Sequence, residues 1–320
     1  MSKHKSIVAK VSIIIPTYNR AAMLPQAIES AKNAGGNPEV IVVDNGSTDE
    51  TPEVCRAISG IRYLRLYPNV RQSRARNAGI EISTGEFLLF LDDDDILLPG
   101  SLDAQRNLLE SDPSLGFVYG PVLIGDAKNC IPTGRIRPAQ CLEGDLFWSL
   151  LERPFIYLHS VLARKKLIEE VGLFNPELVG AEDWTLLVRL AERGFVRAVE
   201  EPVAVYRMFD RHTGQTSSNR LWICRMLAIG QAQALTLPRA LEAPISKRKQ
   251  VRQVWLDMLS MELITQSRAD WSNGLFRSAL RNFAGALQIN PRRALTLRAF
   301  KWLVLSPWES SKLAASPGRQ

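Results

Sequence analysis

Short β-branched runs alternate with stretches of helical period through the first hundred residues. Val11–Pro16 (VSIIIP), Glu39–Asp44 (EVIVVD), Ile61–Leu66 and Glu86–Leu91 (EFLLFL) read as strands. Between them, Met23–Ala34, Pro52–Ile58 and Ser73–Ile82 read as helices, with a polar loop over Asn45–Thr51. Near-continuous Ile, Val and Leu strands separated by helices predict a mostly parallel α/β sheet, buried on both faces. Ligands bind such sheets at the carboxyl ends of the strands. Here those ends carry Thr17-Tyr18-Asn19, Asp44 and Asp92–Asp95, so the polar chemistry converges on one edge.

Further along, the pattern predicts a helix over Ser101–Glu110, a strand over Gly116–Ile124 and a helix over Arg164–Val171. A turn-rich passage, Gly172–Pro176, precedes a helix over Glu182–Glu192 that Gly194 stops, and Phe195–Val205 supplies one or two late strands. Residues 125–150 show no clear period. From Leu221 the pattern is helical, interrupted at Pro238, Pro244, Pro291 and Pro307, and Ala314–Gln320 reads as a frayed end. The expected organisation is an α/β unit over residues 1–220 and a helical extension over residues 221–320.

Composition narrows the class. With 46% hydrophobic and 23% charged residues the chain is globular, and no apolar run approaches the roughly 18 residues that span a bilayer. Met1–Lys10 is polar and basic, and the run after it is too short for a signal-peptide core. Cys55, Cys130, Cys141 and Cys224 form no CxxC pair and predict free thiols in a reducing cytoplasm. The net charge of +7 is uneven: residues 221–320 hold fifteen Lys and Arg against five Asp and Glu, and the rest of the chain is slightly acidic. A basic tail fits an anionic surface or a solvated helical face equally well.

The FLDDDD segment (residues 90–95) is the strongest local signal. Four carboxylates in a row repel by roughly 4 kcal/mol per pair at about 4 Å and an effective dielectric near 20. A hard divalent cation shared with phosphate oxygens relieves that repulsion. An acidic helix start is the plainer alternative, but it calls for one or two acids, not four closing an apolar strand. Asp44, before Asn-Gly-Ser-Thr-Asp, reads either as a nucleotide contact or as a turn residue.

Taken in order, IIIPTYN (13–19), VVDNGSTD (42–49), ARNAG (75–79) with TGE (84–86), and FLDDDD (90–95) closely resemble the N-terminal half of the family 2 glycosyltransferases of GT-A fold. The resemblance covers roughly residues 10–215. It implies an inverting transfer of a sugar from a nucleoside diphosphate donor, typically a uridine one, to a hydroxyl acceptor, with Mn²⁺ or Mg²⁺ as cofactor. It implies that Pro16, Thr17 and Asn19 line the base pocket, that Asp44 accepts from the base, that Arg76 faces the nucleotide or its phosphates, and that Asp92 contacts the ribose. Asp94 would hold the metal, with Asp95 and His212 as further candidates; His4 and His159 lack such a setting. AEDW (181–184) resembles the family's ED motif, which makes Asp183 the general base and Glu182 a neighbour that orients the acceptor. Arg207, before the His212 loop, is a phosphate contact by the same resemblance. Where the family usually has glycine this chain has Arg71, which either adds a phosphate contact or reshapes the loop.

The tail segments Leu275–Leu287 and Leu295–Leu305 are amphipathic, and Trp302 and Trp308 suit a lipid interface. They imply either peripheral contact with the inner membrane face, where a lipid-linked glycan would be presented, or packing on protein. Nucleic acid is not an expected partner, since no such motif is present. The rival functions are a non-catalytic nucleotide-sugar-binding module, which would not need Asp183, and a nucleotidyltransferase, which would favour a Gly-rich phosphate loop with a Lys.

Overall fold

The computed structural model describes residues 10–209 and 220–295, and the chain divides into two compact units, Met1–Thr213 and Gly214–Gln320. The first unit begins as the sequence pattern predicts. β1 (Val11–Thr17), α1 (Leu24–Asn33), β2 (Glu39–Asp44), α2 (Thr51–Ala57), β3 (Arg62–Arg65), α3 (Gln72–Ile82) and β4 (Phe87–Phe90) alternate without interruption. They continue into β5 (Ile96–Leu97), α4 (Ser101–Ser111), β6 (Leu115–Tyr119), β7 (Val122–Gly125), β8 (Pro132–Arg137), α5 (Phe147–Glu152), β9 (Val161–Arg164), α6 (Lys165–Glu170), α7 (Glu182–Arg193), β10 (Phe195–Ala198) and β11 (Ala204–Arg207).

Seven strands form the central sheet in the order β10-β6-β9-β4-β1-β2-β3. All neighbours are parallel except at β9, which runs against both β4 and β6. Every residue of β1, β4 and β6 is buried, which is why these strands are unbroken apolar runs and do not alternate. A second sheet, β5-β11-β7-β8, stands beside it.

Three departures from the sequence pattern have local causes. The single strand expected over Gly116–Ile124 is two strands in different sheets, β6 and β7. Pro121 has no N–H to donate to a ladder, and a Cβ on Gly120 would lie 2.5 Å from a Val203 methyl, so the chain turns there. β9 is hidden because VLAR is too short to show a period before α6. The late stretch likewise splits, β10 joining the central sheet and β11 the second.

In α3, glycine is required at position 79: a Cβ there would sit 2.5 Å from Ile14 Cγ2 and 3.2 Å from Val43 Cγ2. The helix therefore lies close on β1 and β2, and its N-terminal half is carried to the carboxyl edge of the sheet.

The second unit is helical: α8 (Arg220–Ala234), α9 (Pro238–Glu242), α10 (Ile245–Ser272), α11 (Phe276–Ile289) and α12 (Pro291–Ala294). α10 packs on α8, α11 and α12, around the buried residues Trp255, Leu259, Leu263 and Ile264. Among the described residues, no helix is long and apolar enough to cross a membrane. Trp302, Trp308 and most of Leu295–Leu305 lie outside the described residues.

Candidate active site

The carboxyl ends of β1, β2 and β4 form one edge, and the acidic loop Asp92–Asp95 leaves β4 there. Its four carboxylates differ in surroundings. The Asp92 side chain is 32% exposed and Asp94 21%, whereas Asp95 is 1% exposed. Burial, with the carboxylates of Asp95, Asp92 and Asp93, pushes Asp94 up to about 7, and burial pushes Asp93 up to about 6. Arg20, just after the β1 motif, partly offsets this charge from 3.7 Å (Asp94) and 4.0 Å (Asp93).

Asp95 is held from below. Its Oδ1 accepts the Arg207 backbone N–H at 2.7 Å, and its Oδ2 lies 3.0 Å from His159 Nδ1. His159 is itself 4% exposed and stacks on Tyr206, ring centroids 5.5 Å apart. Burial disfavours its charge, but Asp95 and the neighbouring acids outweigh that and hold its pKa above the usual value. His159, which the sequence leaves without such a setting, stands in an acidic group here: ligand-capable atoms of Asp92, Asp95 and His159 come within 4.8 Å of one another. His212 lies outside the described residues.

Opposite the acidic loop stands the first turn of α7. Trp184 is 5% exposed and donates its indole N–H to the Leu150 carbonyl at 2.7 Å, which anchors this turn on α5. Asp183 then faces the cleft with 39% of its side chain exposed. Burial pushes its pKa upward; the Arg76 guanidinium pulls it down, and the Glu182 and Asp92 carboxylates add to the rise.

Arg76 joins the two sides. It is 1% exposed, with one amino group 2.6 Å from Asp183 Oδ1 and the other 2.7 Å from Asp92 Oδ1. Its neighbour Asn77 clasps the Phe174 backbone, donating to the carbonyl at 2.9 Å and accepting the N–H at 3.0 Å. The Phe174 ring in turn lies 5.3 Å from the Arg76 guanidinium and packs edge-on against Phe90 at 4.8 Å. The ARN triplet thus ties together α3, the 172–176 turn and both acidic elements.

Several expected contacts fall elsewhere. Arg76 faces two carboxylates, not open cleft. Arg207 is 3% exposed and its guanidinium donates to the carbonyls of Asp94, Ala127 and Lys128 and to the Gln26 side chain, so it braces the acidic loop. Glu182 is 5% exposed and points inward, where its Oε2 meets no hydrogen-bond donor among the described residues. Asp44 is fully buried: it accepts the Ser47 N–H at 2.8 Å and the Tyr63 hydroxyl at 2.7 Å, with Arg65 Nε 3.4 Å away. A base reaches that carboxylate only after Tyr63 or Arg65 moves. Pro16 and Thr17 are buried within β1, and Asn19 caps Thr48 through its Oδ1 at 2.8 Å. Exposed rings at this edge include Tyr18 and, beyond β3, Tyr67, whose ring lies 4.6 Å from the Arg65 guanidinium.

Arg71, at the start of α3, has φ +71° and ψ 163°. That region is essentially restricted to glycine, which gives the physical reason a glycine suits this position. Sequence reasoning passed over Arg20, His159 and Phe174, although the Phe-Asn-Pro turn and a basic residue beside the strand-end motif were visible signals.

Residues 12–172, half of the chain, match Glycosyl transferase family 2, and the chain belongs to that family. An uncharacterized glycosyltransferase of Haemophilus influenzae is 27% identical over 57% of this chain and 62% of its own length. A GalNAc(5)-diNAcBac-PP-undecaprenol beta-1,3-glucosyltransferase of Campylobacter jejuni is 30% identical over 62% of this chain and 65% of its own. An uncharacterized glycosyltransferase of Rickettsia bellii matches at 28% over 66% of this chain, which spans only 31% of that protein. The chain thus spans less than two thirds of each of these relatives.

Among solved structures, S. aureus TarS 1-349 in complex with UDP-GlcNAc superposes with a TM-score of 0.62 at 17% identity, over 94% of this chain and 92% of that one. The mannosyltransferase PcManGT from Pyrobaculum calidifontis, in complex with GDP-Man and Mn²⁺, gives 0.56 at 18% identity, over 97% and 87%. The fold is that of the GT-A glycosyltransferases, with a helical region at the C-terminal end.

Proposed function

We propose that the chain is an inverting glycosyltransferase that moves a sugar from a nucleoside diphosphate donor to a hydroxyl acceptor. The observation that carries this reading is the convergence of the acidic loop after β4 and the first turn of α7 on one cleft, joined through Arg76. A binding module has no use for the second carboxylate. A nucleotidyltransferase would favour a Gly-rich phosphate loop with a Lys, and the sequence shows none. The two ligand-bound structures of like fold hold UDP-GlcNAc and GDP-Man, and a uridine donor is the form we favour, with the exposed Tyr18 ring beside the base.

The donor set fits a divalent cation. Asp94, pushed up by burial and by the acids around it, and Asp92 present hard oxygens, and mutual repulsion of this kind is what a cation relieves. Asp94 with Asp92 would hold Mn²⁺ or Mg²⁺, with Asp95 and His159 beneath them, and the ion would supply charge to the departing diphosphate. Asp183 takes the acceptor's proton. The acceptor oxygen bonds to the anomeric carbon as the bond to the diphosphate oxygen breaks, and that electron pair leaves with the nucleoside diphosphate. A single in-line displacement inverts the anomeric centre.

The acceptor we favour is a lipid-linked glycan, as the name of the Campylobacter relative suggests. Trp271, Leu275, Phe276 and Leu280 are exposed on the basic helical unit, which supports peripheral contact with the cytoplasmic membrane face. Product analysis tests the chemistry. With UDP-glucose, UDP-GlcNAc and GDP-mannose, Mn²⁺ and a membrane lipid extract, the wild type releases nucleoside diphosphate, EDTA abolishes the transfer, and Asp183→Asn lowers it about 100- to 10,000-fold to a measurable residue. Release of pyrophosphate, or full transfer by Asp183→Asn, overturns the reading.

A further inference from the structure

We infer that Arg76 is a positioning residue that acts through Asp183, aiming the base at the acceptor from the donor side of the cleft. The inference rests on the reading of Asp183 as the base. Arg76 is 1% exposed, so its charge is stable only in the grip of partners, and it has two: Asp92, 16 residues on, and Asp183, 107 residues on. Its Nε has no acceptor among the described residues. The guanidinium is therefore oriented by the two carboxylates at its amino end, with the Phe174 ring 5.3 Å away on one side. A buried ion pair that loses a partner is costly, so neither carboxylate turns away freely.

Each contact uses only one oxygen. Arg76 occupies Asp183 Oδ1, and no hydrogen bond among the described residues engages Asp183 Oδ2, while 39% of that side chain faces solvent. Asp92 is pinned on the same principle, its Oδ1 accepting from Arg76 and, at 3.0 Å, from Gln72. Fixing one oxygen of a carboxylate fixes the direction of the other. Arg76 thus sets where the proton-accepting oxygen points, and sets it relative to the loop that holds the donor. The planar fork of arginine spans both carboxylates at once, a geometry that the single ammonium of lysine does not reproduce.

The test is a double-mutant cycle on turnover, run beside UDP binding by calorimetry. Misaiming a reacting group by about 1 Å costs on the order of 100-fold, so Arg76→Gln and Arg76→Lys should each lower kcat about 100-fold, with donor KM and UDP affinity within about threefold of wild type. Because Arg76 acts through Asp183, Arg76→Gln with Asp183→Asn should turn over no more slowly than Asp183→Asn alone. Guanidinium ion added to Arg76→Ala should restore part of kcat. If the two losses multiply, or if UDP affinity falls as far as kcat, Arg76 serves the donor or the fold and the inference fails. Should Arg76→Gln not fold, the Arg76→Lys kcat and KM decide it. Full transfer by Asp183→Asn is a different failure, that of the base.

Discussion

Glu39 opens β2 at the edge of the sheet opposite the site, and its carboxylate is a clasp. It accepts from the Ser12 hydroxyl at 2.5 Å, from the Thr84 N–H at 2.8 Å and hydroxyl at 2.9 Å, and from Arg62 at 2.8 Å. Desolvation alone would raise its pKa, but these donors hold it at about 2, below the ordinary 4.5. A folded-state pKa lowered this far is worth about 3 kcal/mol at neutral pH; screening of the half-exposed Arg62 brings this to roughly 2–3 kcal/mol. A depressed carboxylate stabilises above its unfolded pKa, and the contribution fades as pH falls from about 4.5 towards 2, leaving roughly 1 kcal/mol by pH 3. Urea unfolding of wild type and Glu39→Gln should therefore differ by about 2–3 kcal/mol at pH 7, narrowing to about 1 kcal/mol at pH 3. A difference that stays constant over that range would refute the assignment, because it would then come from packing and not from charge.

Two other substitutions probe the backbone around α3. Arg71→Gly relieves the positive-φ start of the helix and should stabilise by about 1 kcal/mol, read as a rise in melting temperature; no rise would mean the arginine is not strained. Gly79→Ala places a Cβ against Ile14 and Val43 and should destabilise by about 1–3 kcal/mol in denaturant melts, and unchanged stability would show that the α3–sheet contact is looser than the geometry states.

Much of the fold was legible because a buried parallel sheet writes itself as apolar runs. β1, β2 and β4 needed no more than their Ile, Val and Leu, and the acidic loop announced itself by charge. The elements that escaped were those whose identity depends on distant partners. β9 is four residues long and is a strand only because β4 and β6 flank it. Gly120-Pro121 reads as strand interior in the sequence, whereas in the structure the Val203 side chain packs where a Cβ on Gly120 would lie. The site was legible as a set of residue types but not as a set of pairings. By resemblance Arg76 faces the nucleotide or its phosphates and Arg207 is a phosphate contact, whereas in the structure one bridges two carboxylates and the other braces loop carbonyls. Nothing local distinguishes those fates, since Asp183 lies 107 positions from Arg76 and Asp94 lies 113 from Arg207. The Thr-Gly pair at 84–85 read as part of a functional motif, whereas in the structure Thr84 serves the Glu39 clasp and Gly85 closes on Ser12.

The central claim is a single in-line displacement with Asp183 receiving the acceptor's proton. Proton NMR of the first-formed glycoside, taken during turnover of a donor of known anomeric configuration, tests it most directly. The account predicts the opposite configuration at the anomeric carbon of the product, an α-linked donor giving a β-linked glycoside. A product that retains the donor's configuration would contradict it, because one base and one displacement have no route to that outcome.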